Sequence, residues 1–414
     1  MEKKRPIWLL FIVTALFIVA ACEKNDPSDQ FCDDSLQFDI DEFVEGVISD
    51  MESQNISGYQ FVVNNDGTLY HSNAFGLARH ENDPNGPIDM TVNTRLNVAS
   101  VSKFIGAIAL MIAMEERNVS LEFNVVNYLP ESWRDTIHPD FRDVDSPHYL
   151  TFKKLLRMES SIDFIGSTPR PGDMLSEADM LTSLIRPPNA NRDGLYQNAN
   201  FTLIRVLIGE FFFQLDENNE DYDTICTDAY FKFLEERIFK PLNINPPDTA
   251  DEINDYYDSP TYAMAYQWPF NESFQDPADG SLGWLHTSDP YLNGGSGGLV
   301  LSSMDLATIL AFFKNDPQER LISNTQRDKI IAGELGLFES TLDGTYGVYL
   351  SKGGTRGPDG RTANGNCCDR AVRSRIMMFP NGVEAVLLTN SNHTSLGTVL
   401  RSNFDSAWKS GCNP

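Results

Sequence analysis

The chain has 414 residues, 59 of them acidic against 32 basic, for a formal net charge of −27. That balance argues against nucleic acid or an anionic bilayer surface as a partner and says little about fold. Its six cysteines match no zinc-site spacing and its six histidines include no His-x-x-x-His pair, so neither a metal nor a cofactor is expected.

At the start, Lys3-Lys4-Arg5 precede the apolar run Ile7 to Ala21, which has the form of a secretory signal. With 15 residues the run is short of the ~20 that cross a bilayer as a helix. Its end, Val19-Ala20-Ala21-Cys22, resembles a bacterial lipobox, which implies cleavage before Cys22 and a lipid on that thiol. The chain is therefore expected at a cell envelope, held to a membrane by the lipid. Cleavage removes three basic residues and one acidic one and leaves −29 over 393 residues. Residues 22–38 are polar and acidic and read as a flexible tether. Cys32, Cys226, Cys367, Cys368 and Cys412 remain, an odd number, so at least one is free or paired outside the chain.

From Asp39 to Gln54, Ile40, Phe43, Val44, Val47, Ile48 and Met51 share one helical face, and Asp39 with Glu42 marks the helix start. Tyr59 to Asn64 and Thr68 to Asn73, joined by Asn65-Asp66-Gly67, read as two strands about a tight turn.

Next comes Asn97-Val98-Ala99-Ser100-Val101-Ser102-Lys103-Phe104, running into the wholly apolar Ile105 to Met114. Without a polar face this helix must be buried on all sides. Residues three apart on a helix are neighbours, so Lys103 lies over Ser100 at the N-terminus. Ser100 is the candidate nucleophile and Lys103 its base, since a serine attacks a carbonyl only after losing its proton, and a lysine takes that proton only where burial keeps the amine neutral. Ser-x-x-Lys alone is weak; it arises about once or twice by chance in a chain of this length. A second copy, Ser406 to Lys409, ends an amphipathic stretch, where an exposed polar face explains it.

The middle of the chain is helical and broken by prolines, with helices expected at Thr151 to Met158, Glu177 to Ile185, Asn200 to Phe213 and Ala229 to Phe239. The acidic stretch Asp216 to Asp223 lacks the glycine and ligand order of a calcium loop and reads as a solvated loop. Strands return at Tyr346 to Ser351, Ser374 to Phe379 and Val383 to Thr389, the last two joined through Pro380-Asn381-Gly382, before a closing helix from Leu396 to about Lys409. Strands from both ends around a helical middle describe one domain over 39–414, with a helical subdomain over about 120–290.

Ahead of the helix at Asn200 stands Tyr196-Gln197-Asn198. A tyrosine near a catalytic lysine can share its proton and, as phenolate, serve as base. Asn198 can hold the lysine or a substrate amide. Tyr291-Leu292-Asn293 repeats the pattern but leads into Gly294-Gly295-Ser296-Gly297-Gly298 instead of a helix.

Taken together these segments resemble the serine β-lactamase and penicillin-binding protein superfamily, in the branch of class C β-lactamases, D-amino-acid peptidases and esterases. The similarity runs from about Ile56 to Asn390. It includes Asp66-Gly67, Phe75-Gly76-Leu77, Val98 to Lys103, Val125 to Pro130, Leu150 to Leu156 and Tyr196-Gln197-Asn198. It continues through Ile238 to Leu242, Gly297-Gly298-Leu299, Ser303 to Ala307 and Pro380-Asn381-Gly382. The resemblance implies an α+β fold, a five-stranded antiparallel sheet flanked by helices with an inserted helical subdomain. It also implies an acyl-enzyme on Ser100, proton transfer by Lys103 and Tyr196, and an oxyanion hole partly made by the Ser100 N–H.

Two segments depart from the pattern. Met158-Glu159-Ser160-Ser161 stands where relatives have His-Thr-Ser-Gly, a change expected at a helix end. Counting back from Pro380 and Asn390, the cleft-lining motif falls on Ala363-Asn364-Gly365, with alanine in place of a basic residue and Asn364 and Gly365 as substrate-binding positions. Lys352-Gly353-Gly354 matches better in letters but lies further upstream, and Arg370, Arg373 or Arg375 are other sources of charge. The reading is a lipid-anchored serine hydrolase for a small-molecule or peptide ester or amide. The alternative is a binding protein that keeps the fold without turnover, motivated by Ala363.

Overall fold

The computed structural model describes residues 36–163, 176–213, 215–216, 221–245, 262–275, 280–284, 294–337, 342–357, 370–393 and 395–410. The strands are β1 (Leu36–Phe38), β2 (Gly58–Asn65), β3 (Thr68–Arg79), β4 (Ile88–Asp89), β5 (Leu96–Asn97), β6 (Val300–Leu301), β7 (Leu342–Gly344), β8 (Gly347–Arg356), β9 (Val372–Met378), β10 (Val383–Thr389) and β11 (Trp408–Ser410). The helices are α1 (Ile40–Ser53), α2 (Ser102–Glu116), α3 (Glu131–Arg134), α4 (Phe152–Leu156), α5 (Glu177–Ile185), α6 (Ala199–Phe212), α7 (Tyr222–Leu234), α8 (Ser303–Asn315), α9 (Asn324–Gly333) and α10 (Leu396–Ser406).

One antiparallel sheet in the order β4-β3-β2-β10-β9-β8-β7 organises residues 39–407. Five long strands make its body, as expected, and the short β4 and β7 extend it to seven strands. Asp66 and Gly67, both at positive φ (48° and 72°), supply the left-handed pair that a two-residue hairpin turn needs between β2 and β3. A matching turn at Gly382 (φ 88°) joins β9 to β10.

Helix α1 starts at the expected cap, with Asp39 Oδ1 accepting the Glu42 N–H at 3.1 Å. It packs with α10 on one face of the sheet, where Phe43 meets Phe61, Phe379 and Phe404 edge to face and Phe379 stacks on Phe404. The other face carries Val62, Ile376, Met378, Val386 and Leu388 into the same core as α2. Every residue of α2 from Ser102 to Met114 is buried. Burying a Leu or Ile side chain contributes about 1.5–3 kcal/mol, so this helix is held by its surroundings on every side.

Strand β3 runs on past Asn73 to Arg79, and three further elements differ from the sequence expectation. Helix α7 begins at Tyr222 instead of Ala229, because two residues of the acidic stretch turn inward: Tyr222 donates to Glu210 Oε1 at 2.6 Å, and Asp223 pairs with the buried Arg205. Strand β8 continues past Ser351 to Arg356. The closing helix stops at Ser406, and Trp408–Ser410 forms β11, which pairs with β1 inside the stretch read as tether. That pair belongs to a second compact unit. The signal segment and Cys22 lie outside the described residues, and no described helix is long and apolar enough to cross a membrane.

Candidate active site

Strand β5 pairs with β6, and Val98 N–H continues the pairing to the Leu299 carbonyl at 3.0 Å. The chain then turns abruptly. Asn97 Oδ1 accepts the Ala99 N–H at 2.8 Å, and Ala99 is held at φ 47°, a left-handed conformation that a non-glycine residue adopts only where its surroundings dictate it. The turn places half-buried Ser100 just ahead of α2.

One turn further, the wholly buried Lys103 points its Nζ at Ser100 Oγ (3.1 Å) and at the Ser296 carbonyl (2.5 Å). Ser296 belongs to the glycine turn at 294–298. Gly295 there has φ 85°, and a Cβ on it would stand 2.2 Å from the Phe201 carbonyl oxygen, so only glycine lets this turn lie against α6 and aim its carbonyl at the amine.

From the opposite side, Tyr196 OH donates to Ser100 Oγ at 2.5 Å. Two donors thus converge on one hydroxyl oxygen. The Tyr196 ring lies between two lysines, with Lys103 Nζ 5.0 Å and Lys352 Nζ 5.1 Å from its centroid. The tyrosine is 37% exposed, whereas Lys352 is 1% exposed, so the phenol forms the solvent-facing side of a buried pair of amines.

The loop before Tyr196 is tied to the segment after α4. Gly194 N–H donates to the Met158 carbonyl (3.1 Å), Gln197 N–H contacts Met158 Sδ (3.4 Å), and Ser161 Oγ donates to Asp193 Oδ1 (2.7 Å). Met158 and Ser161 both sit at φ 57°. The departure at Met158 to Ser161 is therefore more than a helix end, because it seats the loop that carries Tyr196. Asn198 is half-buried at the start of α6, where its carbonyl accepts the Phe201 N–H at 2.8 Å.

Strand β8 brings Lys352 to the same cluster. The register Lys352↔Ile376 and Gly354↔Ser374 puts it on the sheet face that looks at α2. A Cβ on Gly354 would stand 2.6 Å from the Val98 carbonyl oxygen and 2.7 Å from Ser100 N, so the strand passes directly over the serine turn. Ser374 Oγ closes the contact by donating to the Val98 carbonyl at 2.7 Å. Lys-x-Gly is the sequence signal of this strand, and residues 357–371 separate it from β9.

Asn364 and Gly365 lie outside the described residues, as do Ala363, Tyr291-Leu292-Asn293 and all cysteines except Cys226. Cys226 is a free, buried thiol pushed up to about 12 by burial. The arginines weighed as sources of charge are engaged elsewhere. Arg370 donates to Ser281 Oγ and the Gly283 carbonyl, both at 2.8 Å, and Arg373 and Arg375 leave the face of β9 opposite Ser374. Among the described residues, no three His, Cys, Asp or Glu side chains come together as metal ligands.

Comparison with curated proteins gives no sequence match. Among solved structures, the chain is similar to EstCE1, described as a hydrolase with promiscuous acyltransferase activity, at 15% identity and a TM-score of 0.57, covering 89% of this chain and 97% of that one. It is similar to a D-stereospecific amidohydrolase from Streptomyces sp. at 18% identity and a TM-score of 0.57, covering 87% and 97%. A class C beta-lactamase from Rhodobacter sphaeroides matches at 16% identity and a TM-score of 0.53, covering 88% and 99%. At these identities the likeness is one of fold. The family assignment rests on the sequence itself: residues 43–398 match the Beta-lactamase family, and the chain belongs to that family of hydrolases.

Proposed function

We propose that this protein is an envelope-anchored serine hydrolase that opens an ester or amide through an acyl-enzyme on Ser100. The observation that carries the reading is the convergence of Lys103 Nζ and Tyr196 OH on one serine oxygen, at 3.1 and 2.5 Å. With either partner unprotonated, the Ser100 proton passes to it as Oγ bonds to the acyl carbon. The same proton then goes to the leaving oxygen or nitrogen as its bond to that carbon breaks. Water repeats the sequence on the acyl-enzyme, giving its proton to the pair and returning Ser100 to its hydroxyl form.

The developing oxyanion would face the Ser100 N–H, at the turn that β8 packs against through Gly354. Lys352 supplies the basic group for a substrate carboxylate or a departing group, which supports turnover over the binding-only reading that Ala363 motivated. Asn198 is assigned to the substrate amide. Anchoring rests on the lipobox-like Val19 to Cys22, with lipid on the Cys22 thiol.

An active-site serine probe should label the wild type and leave Ser100→Ala unlabelled; equal labelling of both would end the assignment. A panel of β-lactam, D-alanyl peptide and short acyl ester, run on the same two proteins, identifies the substrate class.

A further inference from the structure

Two arginines stand side by side on the sheet face away from Ser100, and among the described residues no acid pairs with them. Arg373 and Arg375 are two apart on β9, so both leave the strand toward α10. The Arg375 guanidinium is held between two glycines: a Cβ on Gly353 would be 2.7 Å from its Cζ, and one on Gly397, in the first turn of α10, 3.1 Å. Its Nη1 donates to Ser351 Oγ at 3.0 Å, while its Nε is enclosed without a partner. Arg373 donates through Nε and Nη2 to a single oxygen, Asn392 Oδ1, at 3.1 and 2.7 Å.

Every acceptor in this set is neutral, and among the described residues neither arginine makes an ion pair. Burial pushes both guanidinium pKa values down, and the charge of Arg373 adds to the effect at Arg375. His393 alongside is lowered as well, by burial and then by Arg373, so it brings no negative charge. Three other arginines do have a carboxylate: Arg205 has Asp223, Arg192 has Asp163 and Arg320 has Asp316. With 59 acidic residues against 32 basic ones, a neighbouring pair of half-buried arginines left without a carboxylate runs against the composition of the whole molecule. Like charges so placed repel, and a counter-charge between them would relieve that repulsion.

We propose that Arg373 and Arg375 form a binding site for a phosphate dianion, free or as the phosphomonoester end of a small molecule. A phosphate near neutral pH carries close to two negative charges and several acceptor oxygens, which match two guanidinium forks in charge and geometry. A monocarboxylate would cancel only one of the two charges. This site is separate from the hydrolase reading and stands without it.

Titration calorimetry of the full chain with inorganic phosphate, and separately with glycerol phosphate, at fixed ionic strength in a chloride buffer, tests the proposal. One site per chain is expected, with affinity reduced at least about tenfold in Arg373→Gln and Arg375→Gln, the loss that follows from removing charge-assisted hydrogen bonds. Tighter binding of inorganic phosphate identifies the free ion as ligand, and tighter binding of glycerol phosphate identifies the ester. No binding of either, or equal binding to wild type and both variants, overturns the site. Should the variants fail to fold, phenylglyoxal modification of the wild type read by peptide mass decides. Modification of Arg373 and Arg375 must be slower in phosphate than in chloride, and equal rates overturn the proposal.

Discussion

Gly354 lies so close to Ser100 that a Cβ on the glycine would stand 2.7 Å from the serine backbone nitrogen, and 2.6 Å from the Val98 carbonyl oxygen. Both obstacles are backbone, which cannot swing aside as a side chain can. Gly354→Ala should therefore push β8 off the serine turn and shift the Ser100 N–H. Loss of an oxyanion donor costs about 10²–10³ in kcat, so a fall of that order is expected, with about 1–3 kcal/mol lost from stability by overpacking. Kinetics and thermal melts on one preparation check this; near-wild-type turnover would show that the Ser100 N–H does not depend on this contact.

Tyr196→Phe separates two roles of the same side chain. The ring over which Lys103 and Lys352 sit, at 5.0 and 5.1 Å, is retained, and only the hydroxyl that reaches Ser100 is lost. The residue is 37% exposed, so the melting temperature should hold. Acylation should fall by about 10²–10⁴, the usual worth of a positioned acid or base. Lys103→Met should produce a loss of the same order, and the double variant little more, because groups that act as a unit are not additive. Additive losses measured in stopped-flow acylation would contradict shared proton transfer.

Lys352 should behave differently from Lys103, because Lys103 Nζ reaches Ser100 Oγ at 3.1 Å whereas Lys352 Nζ stands over the Tyr196 ring, 5.1 Å from its centroid. Lys352→Ala is expected to raise KM for substrates bearing a carboxylate more than for neutral esters. Equal effects on both substrate types would assign the lysine to proton chemistry and not to recognition.

Much of this site is legible in the sequence, and what is not has a physical reason. Spacing alone puts Lys103 over Ser100, and the 3.1 Å contact follows from helical geometry. The cap at Asp39 and the Asp66-Gly67 turn are local features decided by the residues themselves. Lys352 is different. Two successive glycines normally weaken a strand, so β8 reads as ending at Ser351. Here each glycine serves a distant neighbour, Gly353 the Arg375 guanidinium and Gly354 the serine turn, and neither approach is visible until the strands are paired. The start of α7 is hidden in the same way, since Tyr222 and Asp223 are drawn inward by Glu210 and Arg205 on α6.

The tether of the tyrosine loop offers a test away from the reacting atoms. Ser161 Oγ donates to Asp193 Oδ1 at 2.7 Å and lies 2.9 Å from His148 Nδ1. Ser161→Ala removes both contacts at a cost of about 1 kcal/mol in stability and frees the segment leading to Tyr196. A fall in kcat with KM nearly unchanged is expected, and Asp193→Asn should preserve more activity than Asp193→Ala because its amide oxygen still accepts. An unchanged kcat in Ser161→Ala would show that the loop is positioned without this link.

Glu384 gives the fold its own pH dependence. The side chain is buried on β10, and Asn315 Nδ2 donates to its Oε1 at 2.6 Å. Burial holds the carboxyl up to about 7, against the opposing pull of the Asn315 and Asn64 amides and Lys314. Because the folded state raises this value above the ordinary 4.5, the neutral acid is the form the fold prefers. Its contribution to stability is complete below pH ~4.5 and is lost as pH rises through ~7, at a slope of at most about 1.4 kcal/mol per pH unit. Glu384→Gln keeps an oxygen for Asn315 and carries no charge, so it should match the wild type near pH 5 and exceed it at pH 8. Urea midpoints for the two proteins across that range measure the difference directly, with other titrating groups cancelling. Parallel curves would mean that the carboxyl ionises in the folded protein as easily as in water.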